Sequence, residues 1–401
     1  MSTNGVNPDE EEFDPFSDPE ELKAITSTLS SFHLYRRAAH QNLTHRRRTS
    51  FFALSRPHQE LLKQSPINYL RTLDDVDRAI EDNAVLSEAI FRSAVDGFGI
   101  DLETTGGGIQ EWDDSASDSD LDKVRSTIKQ FYRDWSVEGK AEREACYGGI
   151  MKELEERFGG VEDKTTIRVL VPGAGLGRLA FDIAVAGYTS QGNEFSYHQL
   201  MASNYILNHT ASANQHTIHP FISTFSNHTT RASHLRSIQI PDVHPTTLLT
   251  QHTTAAAPAP DLPEQFSMTA GDFRQSYRNL TPQQKFNVCA TVFFIDTAPN
   301  LISYLETIHN LLVDNGVWIN FGPLLWHFEG HGADAKNPKN GEDASADGKF
   351  ELCLDEVLAL VQMCGFKLEK VVTGAKTGYV GDEKSMLRHE YEGAFWVAVK
   401  V

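Results

Sequence analysis

Three stretches of the chain place residues whose types could hold a nucleoside. The first is Val169-Leu170-Val171-Pro172-Gly173-Ala174-Gly175-Leu176-Gly177, an apolar run ending in a glycine turn. Glycine lets the backbone pass close to a ligand, and a helix opening there offers free N–H groups. The second is Gly192-Asn193-Glu194, an acid at the end of the next expected strand. A carboxylate at that position can accept from both hydroxyls of a ribose. The third is Ala270-Gly271-Asp272-Phe273, where Asp272 can accept from an adenine amino group and Phe273 can stack on the ring.

The order of these stretches narrows the cofactor. A dinucleotide fingerprint calls for glycine or alanine at the sixth position of the turn, and Arg178 stands there. The GxGxG turn, the acid and the AGDF tetrapeptide together match the adenosine pocket of class I methyltransferases, whose cofactor is S-adenosylmethionine. The turn and the acid also serve an NAD-dependent oxidoreductase, and a non-catalytic cofactor-binding scaffold is a third reading.

Several longer stretches resemble one family. KQFYRDWSVEGKAER, VLVPGAGLGRLAFDIA, GNEFSYHQLMASNYILN, FFIDTAPNLISYLETI, WINFGPLLWHFE and MCGFK, in this order, are similar to carnosine N-methyltransferases. The resemblance covers about residues 121–330 and 350–401 and is weaker over the N-terminal helices. It implies an enzyme that methylates an imidazole nitrogen of carnosine, giving anserine, or of a related histidine-containing dipeptide. It implies that Gln130, Arg133, Gly173, Glu194, Asp272, Phe273 and Val292 contact S-adenosylmethionine, Val292 through its backbone. An arginine at 133 could take the cofactor carboxylate with two parallel hydrogen bonds. It also implies that Asp296, His327 and Tyr391 contact the substrate, Asp296 by accepting one imidazole N–H so that the other nitrogen presents its lone pair. His389 stands where relatives tend to carry another tyrosine.

The elements that must position these residues are legible from periodicity. From 166 to the end, apolar runs alternate with helical patterns, as in a doubly wound, Rossmann-like α/β sheet. KFNVCATVFFID reads as a strand buried on both faces. DKVRSTIKQFYRDWSVEGKAEREACYGGIMKELEERF reads as an amphipathic helical pair, and residues 19–120 as an N-terminal helical region. Residues 1–18 form an acidic tail. The methyltransferase domain is expected over 121–401, with polar insertions at about 209–265 and 330–349 that contribute no core.

Composition excludes several classes. The chain has 401 residues and a formal charge of −19, which disfavours a nucleic-acid partner. Four cysteines, without a CxxC pair, read as free thiols. No signal sequence and no apolar run of about 18 residues is present, so no membrane partner is expected. The expectation is an enzyme of the cytoplasm, with the nucleus as a further location, acting on a small-molecule substrate and compatible with a homodimer. The basic run His45–Arg48 is either a solvated helix end or a patch for nuclear import or an acidic partner.

Overall fold

The computed structural model describes residues 18–100, 115–252, 265–329 and 348–401. The expected acidic tail, apart from residue 18, lies outside them, as does most of the expected insertion at 330–349.

Seven strands form one sheet: β1 (Arg168–Pro172), β2 (Thr189–Glu194), β5 (Phe266–Ala270), β6 (Phe286–Val292), β7 (Leu312–Gly322), β8 (Phe366–Thr377) and β9 (Tyr391–Lys400). β3 (His216–Ile218) and β4 (Ile238–Ile240) make a separate antiparallel pair. The order across the main sheet is β5-β2-β1-β6-β7-β9-β8. The strands from β5 to β7 in that order run parallel, and β9 pairs antiparallel with both β7 and β8. The chain therefore leaves β1 in one direction and later returns to its other side through β6. Ligands bind outside the carboxyl ends of strands at such a reversal. The doubly wound α/β reading holds.

β1 and β6 are apolar because both faces are covered, one by a cluster with Leu170, Phe286, Trp318 and Trp396, the other by one with Val169, Val288, Ile319 and Val397. β8 departs from the expected alternation: two consecutive antiparallel strands close the chain. Its sequence carries little apolar signal because it is the sheet's edge, with most of its residues exposed or half-buried.

The helices are α1 (Pro19–Ala39), α2 (Arg46–Phe52), α3 (Arg56–Lys63), α4 (Tyr69–Gly97), α5 (Asp118–Trp135), α6 (Lys140–Phe158), α7 (Arg178–Val185), α8 (Tyr197–Asn204), α9 (Pro245–His252), α10 (Leu301–Leu311) and α11 (Leu354–Met363), besides shorter turns. The expected pair is α5 and α6. α5 starts at a capping box, with Ser117 and Asp120 satisfying each other's backbone N–H. The boundary expected at 120 thus falls inside this helix. Leu29 and Phe32 of α1, Val76 and Ile80 of α4, Phe131 and Trp135 of α5, and Phe181 of α7 belong to one buried cluster. The N-terminal helices share a core with the helices that flank the sheet.

The expected insertion at 209–265 needs correction. Residues 209–252 are folded, and Ile218, Phe221, Ile222, Ile238 and Ile240 are buried in that same cluster. Their few apolar residues are spaced among Thr and His, so overall polarity hid them. Residues 253–264 lie outside the described set. Of the basic run, Arg48 bridges Asp74 and Asp77, and Arg47 donates to the Asn42 and Leu43 carbonyls and covers the Phe225 ring. His45 and Arg46 are exposed.

Candidate active site

A cavity of 540 Å³ opens at the carboxyl ends of β1, β2 and β6. Eight of the ten residues expected to act line it: Gln130, Arg133, Gly173, Glu194, Asp272, Phe273, Val292 and His327.

The floor is the glycine turn. Gly173 has φ +64°, and a Cβ there would meet Cδ2 of Phe294 at 2.6 Å. Only glycine fits, because both the conformation and the neighbour exclude a side chain. Across the floor Phe293 holds φ +50° without being glycine, its N–H bonded to the Phe321 carbonyl at 2.9 Å. Phe273 is buried, with the Phe294 and Tyr304 rings 5.3 and 5.5 Å away.

Glu194 ends β2 and is held by the backbone. Its Oε2 accepts from Gly175 N–H at 2.9 Å, and Oε1 from Phe195 and Ser196 N–H, each at 2.9 Å. Burial pushes its carboxyl up, and the three amides pull it back only in part. A carboxylate has about four acceptor sites, so a further donor can be taken. Asp272 caps the turn that follows β5, with Oδ1 accepting from Arg274 and Gln275 N–H. Its Oδ2 has no hydrogen bond among the described residues. Both acids are held by backbone amides before a ligand arrives.

Arg133 differs from expectation. Its Nε and Nη2 donate to the two oxygens of Asp134 at 2.8 and 2.9 Å. The two-bond grip expected for a cofactor carboxylate is occupied by this neighbour, which leaves Nη1. Burial opposes the charge, but Asp134 and the Tyr147 and Tyr379 rings raise the guanidinium well above its usual range. Tyr147 closes the arrangement by donating to Asp134 Oδ1 at 2.9 Å.

Asp296 and Tyr391 do not line the cavity. Asp296 lies in a helical turn after β6, 3 % exposed. Its Oδ2 accepts from Leu325 N–H at 3.1 Å, and its backbone carbonyl from His327 N–H at 3.0 Å. It thereby ties the β6 end to the loop that presents His327. Its Oδ1 is buried and has no partner among the described residues. Burial pushes the carboxyl up to about 6 against the pull of the Leu325 amide and His327. Tyr391 opens β9 and packs edge-on against Phe293, ring centroids 5.8 Å apart.

Among the lining residues that escaped the sequence reading, two carry polar groups of note. Gln199 stands in α8, inside the GNEFSYHQL stretch, and its Oε1 is buried with no partner among the described residues. Tyr379 lies in the β8–β9 connection, 4.9 Å from the Phe293 ring, with the Arg133 guanidinium 5.0 Å from its own. Nothing in GAKTGYVGD marks it in advance.

These features fit an adenosine-bearing cofactor: a backbone-held acid for a ribose, a free carboxylate oxygen beside an aromatic ring for an adenine, and an orphaned amide oxygen at Gln199. They do not fit a dinucleotide. Arg178, where that fold needs a small residue, is buried and donates to Asp182, Asp242 and the Asp134 carbonyl. Sheet order and site together define a methyltransferase of the Rossmann-like class, with S-adenosylmethionine as its cofactor. The family profile described as carnosine N-methyltransferase matches residues 110–401. The carnosine N-methyltransferase of Schizosaccharomyces pombe is 42% identical over 382 residues, 95% of this chain and 96% of that protein. The mouse enzyme of the same description is 35% identical over 383 residues, 95% and 86% of the two chains. The chain belongs to the carnosine N-methyltransferase family.

Proposed function

We propose that this enzyme transfers a methyl group from S-adenosylmethionine to an imidazole nitrogen of carnosine. The observation that carries the reading is that one cavity joins the adenosine-type lining to His327 and Tyr379, in a chain of this family. The bound cofactor supplies a methyl group already activated on a sulfonium sulfur. The protein then needs alignment and exclusion of water more than acid–base power. Glu194 and Asp272 hold the nucleoside. Phe293, Phe294 and Tyr304 keep the reacting region dry.

His327 and Tyr391 grip the dipeptide away from the reacting nitrogen, and Asp296 orients the ring. Imidazole is largely neutral at pH 7, so one nitrogen offers a lone pair without a strong base. Methyl transfer to that nitrogen would leave the ring positively charged. Oδ1 of Asp296, one residue from the cavity wall at Thr297, is the acceptor for the proton on the other nitrogen.

The test is mass spectrometry of carnosine and a panel of small imidazoles incubated with the enzyme and labelled cofactor. One label on the carnosine ring is expected. Cofactor binding without label on any imidazole would overturn the reading.

A further inference from the structure

A second cavity, of 610 Å³, adjoins the first, and Tyr379 lines both. Its charged groups are mostly spoken for. Lys376 bridges Glu390, Asp382 bridges Arg236, and Glu142 accepts from the Val380 and Gly381 amides. Arg388 donates to the Glu383 carbonyl, which leaves Lys129 as the unpaired cation and the Glu383 carboxylate as the unpaired acid among the described residues. Lys129 sits on α5 beside Gln130, is half-buried, lines this cavity, and forms no hydrogen bond or ion pair among the described residues. Burial pulls its ammonium below the usual lysine range, with Asp382 pulling the other way. A partly desolvated cation that no carboxylate contacts directly is costly, and an anionic ligand lowers that cost. One helix therefore places Gln130 and Arg133 against the cofactor cavity and a free cation against the cavity next door.

We propose that Lys129 binds the carboxylate of the dipeptide, anchoring its acid end in the second cavity while the imidazole lies in the first. This rests on the carnosine reading and adds what selects a free carboxyl terminus. Tyr379, at the junction, is where the dipeptide crosses from one cavity to the other.

The experiment compares kcat/KM for carnosine and for carnosine capped as its primary amide, in wild type, Lys129→Met and Lys129→Arg. The amide keeps the imidazole and loses the charge. Wild type is expected to prefer carnosine by at least about tenfold, as for loss of a hydrogen bond between charged groups. The ratio should fall to near one in Lys129→Met and recover in part in Lys129→Arg. A wild-type ratio near one overturns the assignment without any variant. An undiminished ratio in Lys129→Met overturns it as well. Failure of wild type to methylate either compound, with the cofactor bound, instead removes the carnosine reading and this assignment with it.

Discussion

Asp296 combines burial, one amide donor and one oxygen with no partner among the described residues, and that combination makes its ionisation unfavourable in the folded protein. Its carboxyl is raised from 3.8 to about 6. A raised carboxyl is most compatible with folding below its unfolded value, and stability is lost as pH rises from 3.8 through about 6. A tenfold change in a proton-binding constant is worth about 1.4 kcal/mol, so the full cost is of the order of 3 kcal/mol at neutral pH. Asp296→Asn does not titrate there. Its melting temperature relative to wild type is expected to climb between about pH 4 and 7 and then level off. The same variant should lose at least about tenfold in methyl transfer, because an amide nitrogen there cannot take the ring proton. Paired melting curves across pH, with turnover at about pH 8, check both halves. A difference in melting temperature that does not change with pH would refute the first. The sequence, through the family resemblance, pointed to this residue. That it lies under the wall, tied to the His327 loop, depends on the turn after β6, which no periodicity announces.

At the level of elements, the β8–β9 connection carries Tyr379 and is held from outside the sheet. Arg236 donates to Asp382 Oδ1 at 2.7 Å, and its guanidinium lies 3.8 Å from the Phe221 ring centroid. The Met386 amide and the Ser385 hydroxyl both donate to the Asn227 carbonyl, and Thr229 Oγ1 to that of Lys384. The His- and Thr-rich segment between α8 and β5 therefore clamps a loop of the active site, besides supplying core. Arg236→Ala leaves Asp382 without its cation and frees the loop. KM for carnosine is expected to rise roughly tenfold, about 1.4 kcal/mol, while calorimetry shows cofactor affinity within about twofold. An unchanged KM would show that the loop holds its place without the pair. What the sequence made legible here follows burial on two faces: β1, β6 and β7 announce themselves as apolar runs. Edge strand β8 and the clamping segment do not, since each buries only scattered residues.

At the scale of the whole molecule, a buried ionic cluster ties the segment after β4 to helices α5, α6 and α7. Asp242, just after β4, takes Arg143 Nη2 at 2.8 Å on one oxygen and Arg178 Nη1 at 2.6 Å on the other. Arg178 also holds Asp182, and Arg143 donates to the carbonyls of Arg133 and Ser136. The Asp242 amide donates to the Trp135 carbonyl at 2.8 Å, the end of the helix that carries Lys129, Gln130 and Arg133. The segment after β4, the glycine-turn helix α7, α6 and the site helix α5 meet at this one carboxylate. The two guanidiniums repel each other, and Arg143 is the weaker partner: burial and then Arg178 lower it, whereas carboxylates hold Arg178 up. Removing the acid leaves both cations buried with less compensation, which typically costs about 3–5 kcal/mol. Asp242→Ala is therefore expected to lose about that much in urea unfolding and to weaken cofactor binding by loosening the end of α5. Asp242→Asn keeps one acceptor and should lose less. A loss under about 1 kcal/mol for Asp242→Ala would mean that apolar packing alone joins this segment to the helices, with the cluster contributing little to either stability or cofactor binding.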